Sequence, residues 1–322
     1  MSKSGKFAIG VDLGGTNIKL GIVSAEGKIV KRTSVETLAK SGPENVISQI
    51  KKGIKELLHK NQLEIKGIGI GSPGIVTVKK GIVENPPNFP GWGKINLGKI
   101  IEKEFRLKVH VENDANAAAV GEMIFGAGKK LSSFIMVTLG TGVGGGIIIN
   151  RKLIRGEFGA AGEIGHITID YKGDQCKCGA FGCIETYAGS NYLVKRVEKE
   201  LADYPDSKVP ELINNDMELL TPKVIHEALS AGDKFAVHVV NELGTYIGAA
   251  LASVSNLLDI GIYIIGGGVA GFGSSLINAI QDSLTSRVLT SIRPRVKVLP
   301  AKLKNNAGIQ GASALVFYKS EK

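Results

Sequence analysis

Near the start of the chain apolar and polar positions alternate in two runs, "FAIGVDL" and "NIKLGIVS", parted only by Gly14, Gly15 and Thr16. That pattern predicts two strands paired across a tight turn, with a third strand-like run at "GKIVKRTS". In "PENVISQIKKGIKELLHKN" the apolar positions are 46, 47, 50, 54, 57 and 58, a helical stripe with Pro43 near its start. Then come "IKGIGIGSPG", a strand entering a turn, the irregular "ENPPNFPGWG", a short helix near 97–105 and the strand "KVHVEN". "DANAAAVGEMIFGAG" reads as a helix with Asp114 in its first turn and Gly126 or Gly128 at its end.

The second half begins the same way. "FIMVTLGTGVGGGIIIN" (134–150) repeats the strand, glycine turn and returning strand of 7–23, setting Asp12 against Thr138 and Leu13 against Leu139. This is an internal duplication. Helices are predicted near 190–202, 222–230 and 233–257. "IGIYIIGGGVAGFG" is a buried strand running into a third glycine turn, before a helix (274–288), a strand (296–299) and a last helix (306–319). Strands followed by helices, made twice, predict two α/β lobes with a cleft between them.

Composition adds little until glycine is counted. Glycine supplies 43 of 322 residues, well above the usual share of roughly 7 %, and there is no three-residue collagen period. The opening "MSKSGKFAIGVDLGG" holds no apolar run long enough for a signal peptide, and no stretch offers about 20 uninterrupted apolar residues. A cytoplasmic protein with no membrane segment is expected. The charge is +10, from 40 basic and 30 acidic residues. The lysines are scattered, as in "KKGIKELLHK" and "KSEK", without interleaved aromatics. They describe a solvated surface that favours anionic ligands, with no nucleic acid as partner.

Three strands end in glycine turns, at 12–17, 139–146 and 265–271. Glycine reaches positive φ and lets consecutive N–H groups face one concavity, so Gly14, Gly15, Gly140, Gly142, Gly267 and Gly268 are candidate anion cradles. Thr16, Asn17 and Thr141 lie in the same turns. Asp12 suits a water on Mg2+, the metal bridging to phosphates. Each turn alone could be a plain hairpin, and none matches a Walker or dinucleotide fingerprint.

"ENDANAAA" sets Asn113 and Asp114 at a strand-to-helix junction. Asp114 reads either as a helix N-cap or as a base, and the macrodipole there keeps a carboxylate ionised without a raised pKa. Strand alternation turns Glu112 away from Asn113, so it is left out. Trp92, the single tryptophan, reads as packing in preference to a sugar-facing wall. All three cysteines fall within eight positions: Cys176, Cys178 and Cys183. With His166 they make the four-donor set of structural zinc, although C-x-C-x4-C is not a finger spacing and three reduced buried thiols are the alternative. An odd set of cysteines is poor material for a disulfide framework.

Together, "DLGGTNIKLG", "GSPG", "NFPGW", "ENDANAAA", "LGTGVGGG", "GEIGH", "CKCGAFGCIE" and "IIGGGV" resemble the ROK family, particularly its bacterial glucokinases, in the expected order from residue 7 to about 315. The resemblance implies a duplicated ribonuclease-H-like (actin/hexokinase-type) two-lobed α/β fold with an interdomain cleft. Its lobes are expected at 1–115, completed by the C-terminal helix (about 306–322), and at 116–305, carrying the cysteine loop. It implies an ATP-dependent hexose kinase, most simply one converting glucose to glucose 6-phosphate with Mg2+. In that role Asp114 is the base, while Asn113, Glu163, His166 and Glu185 bind sugar hydroxyls and Gly74 lets the backbone approach the sugar. The first two glycine turns hold phosphates, and Gly267 and Gly268 lie near the adenosine. His166, Cys176, Cys178 and Cys183 hold a structural Zn2+, leaving the second imidazole nitrogen for a sugar hydroxyl. A homodimer or homotetramer is implied too. Kinases for mannose, fructose, allose or an N-acetylhexosamine, and a polyphosphate donor, stay open. So does a sugar-responsive regulator, which in the family carries a helix-turn-helix domain ahead of the core; here the first strand begins by residue 7.

Overall fold

The computed structural model describes residues 7–318; the last residue of the expected helix 306–319 lies outside them. The chain divides into two compact units. Unit 1 takes the chain up to Ser132, Gly146–Gly162 and the chain from Lys302; unit 2 takes Ser133–Gly145 and Glu163–Ala301.

The elements up to Ser132 are β1 (Phe7–Leu13), β2 (Asn17–Ser24), β3 (Ile29–Glu36), α1 (Pro43–Leu58) and β4 (Ile65–Ser72). They continue with β5 (Ile75–Thr77), β6 (Ile82–Glu84), β7 (Lys94–Ile95), α2 (Leu97–Phe105), β8 (Val109–Asn113) and α3 (Asp114–Phe125). Then come β9 (Phe134–Leu139), β10 (Val143–Ile149), β11 (Lys152–Ile154), α4 (Glu185–Ala188), α5 (Ser190–Glu200), α6 (Val209–Leu212), α7 (Pro222–Ser230) and α8 (Lys234–Leu258). The chain closes with β12 (Ile262–Gly266), α9 (Ser274–Arg287), β13 (Lys297–Pro300) and α10 (Ala307–Phe317).

The two large sheets share one order. The first runs β3-β2-β1-β4-β8 and the second β11-β10-β9-β12-β13. In each the first hairpin is antiparallel and the following two strands join parallel. The offset of 126 residues inferred from the sequence aligns the turns as well, since both hairpins close over three residues, 14–16 and 140–142. This is the duplicated ribonuclease-H-like fold of the actin/hexokinase type.

In unit 1 the period of two separates two kinds of residue. Ile9, Val11, Ile68 and Ile70 are fully buried in a cluster that also takes in Ile50 and Ile54 of α1. The opposite face of β1 and β4 carries Gly10 and Gly69, and α10 lies on it: a Cβ at Gly10 would overlap the carbonyl of Ile309, and one at Gly69 that of Ala312. Glycine weakens a strand, but here it lets a helix backbone lie directly on the sheet. Asp12 shares that face, so the packing brings its carboxylate against Gly308 in the first turn of α10. Helix α3 meets α10 just as closely, a Cβ at Gly121 standing 2.7 Å from the Gly311 Cα. Both helices belong to unit 1.

The small sheet β5-β6-β7 flanks the irregular stretch 84–93, and its strands of two or three residues are too short to show a period. Trp92 is buried there, donates from Nε1 to the Val83 carbonyl at 3.3 Å and sits edge-on to Phe89. It is a packing residue.

In unit 2, α8 is the one described helix long and apolar enough to cross a membrane. Its Val239, Leu243, Ile247 and Leu251 are fully buried, and a Cβ at Gly244 or Gly248 would overlap Ala279 or Ser283 of α9. These are the marks of a core helix inside a protein unit.

Candidate functional site

Unit 1 gathers two acids and an amide. Asn113, the last residue of β8, is the N-cap of α3, its Oδ1 accepting from the N–H groups of Ala115 and Asn116 at 3.0 and 3.2 Å. The cap is therefore Asn113, and Asp114 is left in the first turn with its Oδ1 accepting from the Ala115 N–H at 2.8 Å. The Asn113 Nδ2 donates to the Gly74 carbonyl at 3.2 Å. Gly74 has φ +85, a left-handed conformation that a Cβ would resist. Asn113 and Gly74, both assigned to the sugar, are thus bound to each other.

The expectation of an ordinary pKa for Asp114 does not hold. Its surface is exposed, yet desolvation by surrounding protein raises the pKa more than the N–H of Ala115 and its own N–H lower it. Asp12 is raised to about 6, first by desolvation and then by repulsion from Asp114, with Lys19, its cross-strand partner, pulling the other way. Two neighbouring carboxyls that both resist ionisation form a site that a divalent cation would relieve. The turn beyond Asp12 is pinned by Thr37: its Oγ1 donates to the Gly14 carbonyl at 2.6 Å, and its N–H to the Thr16 carbonyl at 2.9 Å.

In unit 2 the thiols and the imidazole converge. One donor atom each from His166, Cys176, Cys178 and Cys183 lies within 4.8 Å of the others. The Cys178 and Cys183 sulfurs stand 3.7 Å apart, and Cys176 Sγ stands 3.8 Å from His166 Nδ1. Sulfurs about 2.3 Å from a tetrahedral zinc are separated by about 3.8 Å, so the residues fit such an ion. The other ring nitrogen, Nε2, faces Glu163 Oε2 at 3.9 Å. Glu185 Oε2 accepts the Val143 N–H at 3.0 Å, placing that acid under the second glycine turn.

The glycines of the turns divide by environment. Positive φ is not what the first two turns need: of the six candidate glycines only Gly267 adopts it, at +92. Gly14 is crowded by the Asn17 carbonyl, and Gly142 by the Glu185 carboxylate. Gly140 and Gly268 have nothing within 4 Å of a Cβ position, leaving backbone that a ligand could approach. A Cβ at Gly267 would overlap the Leu139 carbonyl, so the third turn lies on the start of the second. Beside it, Pro222, His226, Gly268 and Phe272 help line a cavity of about 220 Å³.

Two residues escaped the sequence reading. Glu112, left out on strand alternation, is buried. Its Oε1 accepts the Asn113 N–H at 3.1 Å and its Oε2 accepts Arg155 Nε at 2.8 Å. The available signal was the alternation itself, since an acid on an inward strand face demands a partner. Nothing local in the sequence points to Thr37.

Comparison with known proteins places these features in a family. The ROK family model matches residues 8–319. A glucokinase of Halalkalibacterium halodurans is 35% identical over 317 residues, covering 97% of this chain and 96% of that protein. The crystal structure of a ROK family glucokinase from Streptomyces griseus, in complex with glucose and AMPPNP, superposes with a TM-score of 0.85 at 38% identity, covering 96% of this chain and 98% of that one. A ROK family transcriptional regulator, a homologue of the E. coli MLC protein, superposes with a TM-score of 0.87 at 27% identity, covering 97% of this chain and 78% of its own.

Proposed function

The chain belongs to the ROK family, and on that premise we propose that it is an ATP-dependent hexose kinase with glucose as acceptor. Asp114 takes the proton of the 6-hydroxyl while that oxygen bonds to the γ-phosphorus and the bond to the bridging oxygen of ADP breaks. Because desolvation by surrounding protein holds the Asp114 pKa up, the ionised carboxylate is a stronger proton acceptor than a free one. Asn113, Glu163, His166 and Glu185 fork onto the remaining hydroxyls. The turns at 14–17 and 140–142 hold the phosphates, with Gly267 and Gly268 toward the adenosine. Mg2+ supplies neutralisation of the phosphate charge, and Asp12 is the carboxylate that would hold it, through water. His166, Cys176, Cys178 and Cys183 would hold zinc in a structural role. A cytoplasmic location accompanies this reading.

One observation carries it. The two nitrogens of His166 face different partners, Nδ1 the Cys176 thiol and Nε2 Glu163, which suits a ring fixed on one side to present its other side to a hydroxyl. The likeness to a glucokinase solved with glucose and AMPPNP supports the same substrates. ADP release should be measured with ATP over glucose, mannose, fructose, allose and N-acetylhexosamines, and should be greatest with glucose. Hexose binding without ADP release would replace the kinase by a sugar-responsive regulator, the second reading, which the match to the ROK regulator favours. Metal analysis should find one zinc per chain; a value near zero would remove the zinc assignment.

A further inference from the structure

Glu185 stands where two functions meet, and its second one lies in the backbone above it. The Glu185 carboxylate receives the Val143 N–H at 3.0 Å. The three heavy atoms nearest a Cβ position on Gly142 are those of that same carboxylate, Oε2 being the one it would overlap, and Gly142 is not at positive φ. The residue is therefore glycine to make room for Glu185, with no demand from the turn's conformation. The following segment completes the seat. Ser190 donates its N–H to the Gly140 carbonyl at 2.9 Å, and a Cβ at Gly189 would stand 2.8 Å from the Thr141 carbonyl. Residues 185–190 thus carry the whole 140–143 turn, and they follow Cys183 with one residue between.

We propose that Glu185 is a positioning residue for the donor nucleotide, its carboxylate propping the 140–143 turn in the shape that receives phosphate. This rests on the kinase reading and extends it. One acid both meets the sugar and sets the cradle for ATP, so the cysteine knot orders both substrates through it. The role is separable from sugar binding because it is exerted through a backbone N–H.

The test is AMPPNP affinity of the sugar-free protein, by calorimetry, with folding checked by thermal melt. E185A removes the acceptor and should weaken AMPPNP by about tenfold, the scale of a lost charge-assisted bond. E185Q keeps an oxygen for the Val143 N–H and should stay within about twofold of the parent, although it loses a carboxylate from the sugar site. G142A pushes the carboxylate aside and should cost about as much as E185A. In the E185A background the same alanine should cost nothing further, because its one clash is gone. Equal AMPPNP affinity in E185A and the parent overturns the proposal and leaves the kinase reading standing. A full G142A penalty in E185A also overturns it, since Gly142 would then serve the nucleotide directly. Failure of the parent to bind AMPPNP overturns both.

Discussion

The first and second glycine turns are copies of one backbone device, and they are supported differently. Both have three residues and join the first two strands of sheets with the same order. The first is pinned by Thr37, a buried neutral residue bonded to the carbonyls of Gly14 and Thr16. The second rests on Glu185 and Ser190. Charge is distributed in the opposite sense. The strand entering the first turn carries Asp12, while its counterpart in the second is Thr138, and the acid of the second turn comes from below. A carboxylate in the entering strand is available to a cation. One beneath the turn spends an oxygen on an N–H. Duplication supplied the backbone twice, and divergence decided where each acid stands.

Breaking that asymmetry gives the largest expected effects. D114A should lower kcat by about two to four orders of magnitude, the usual reach of a general base, with glucose affinity kept. D12N should cost about two orders of magnitude or more in kcat/KM, as loss of a preorganised charge at the phosphates does. T138A, the matching position in the other repeat, should stay within about threefold. Steady-state kinetics on the three proteins decides this. Comparable losses in T138A and D12N would mean that the repeats share the task, and normal turnover in D114A would remove the base.

A smaller effect is expected two residues before Asp114, at Glu112. Glu112 and Glu185 are both acids tied to a backbone N–H, but Glu112 also holds Arg155 and is almost fully buried. R155M strands that charge and should destabilise the fold by about 3 kcal/mol, as breaking a buried pair does. The E112Q/R155M double variant should recover most of the loss, because no uncompensated charge remains. Denaturant unfolding measures both. If R155M unfolded like the parent, the pair would hold nothing, and Asn113 would owe its position to the helix cap and its bond to Gly74.

The strands, the long helices and the duplication were legible because their periods are long enough to repeat. β5, β6 and β7 were not, because two or three residues carry no period. Site residues split along the same line. Asp114 and the four metal-type donors announce themselves by residue type and local order, whereas Glu112 is explained by Arg155, 43 positions away. The reason for Gly142 was misjudged for the same cause. Sequence shows that a residue is glycine, but only the fold shows that the missing Cβ makes room for Glu185. The pKa of Asp114 was misjudged because a helix N-terminus is local and visible, and desolvation is neither.

The smallest effect tests the charge at the first turn by pH alone. Asp12 titrates near 6 in the folded protein, above the ordinary carboxylate range, because burial and then Asp114 oppose its charge. The folded state therefore holds a proton that the unfolded chain has already released. Stability from this group is complete below the unfolded pKa and is lost as pH rises toward about 6. With divalent cations removed, the melting temperature should include a component that falls across this window, and D12N should flatten it. Added Mg2+ favours the ionised form, so it should raise the melting temperature of the parent most above pH 6 and that of D12N little. The acid limb of kcat/KM should likewise move to lower pH as Mg2+ is increased, because protons and the cation compete for one carboxylate. An identical pH dependence of melting in D12N and the parent would show that Asp12 carries no strained charge. The first turn would then need no cation to balance it.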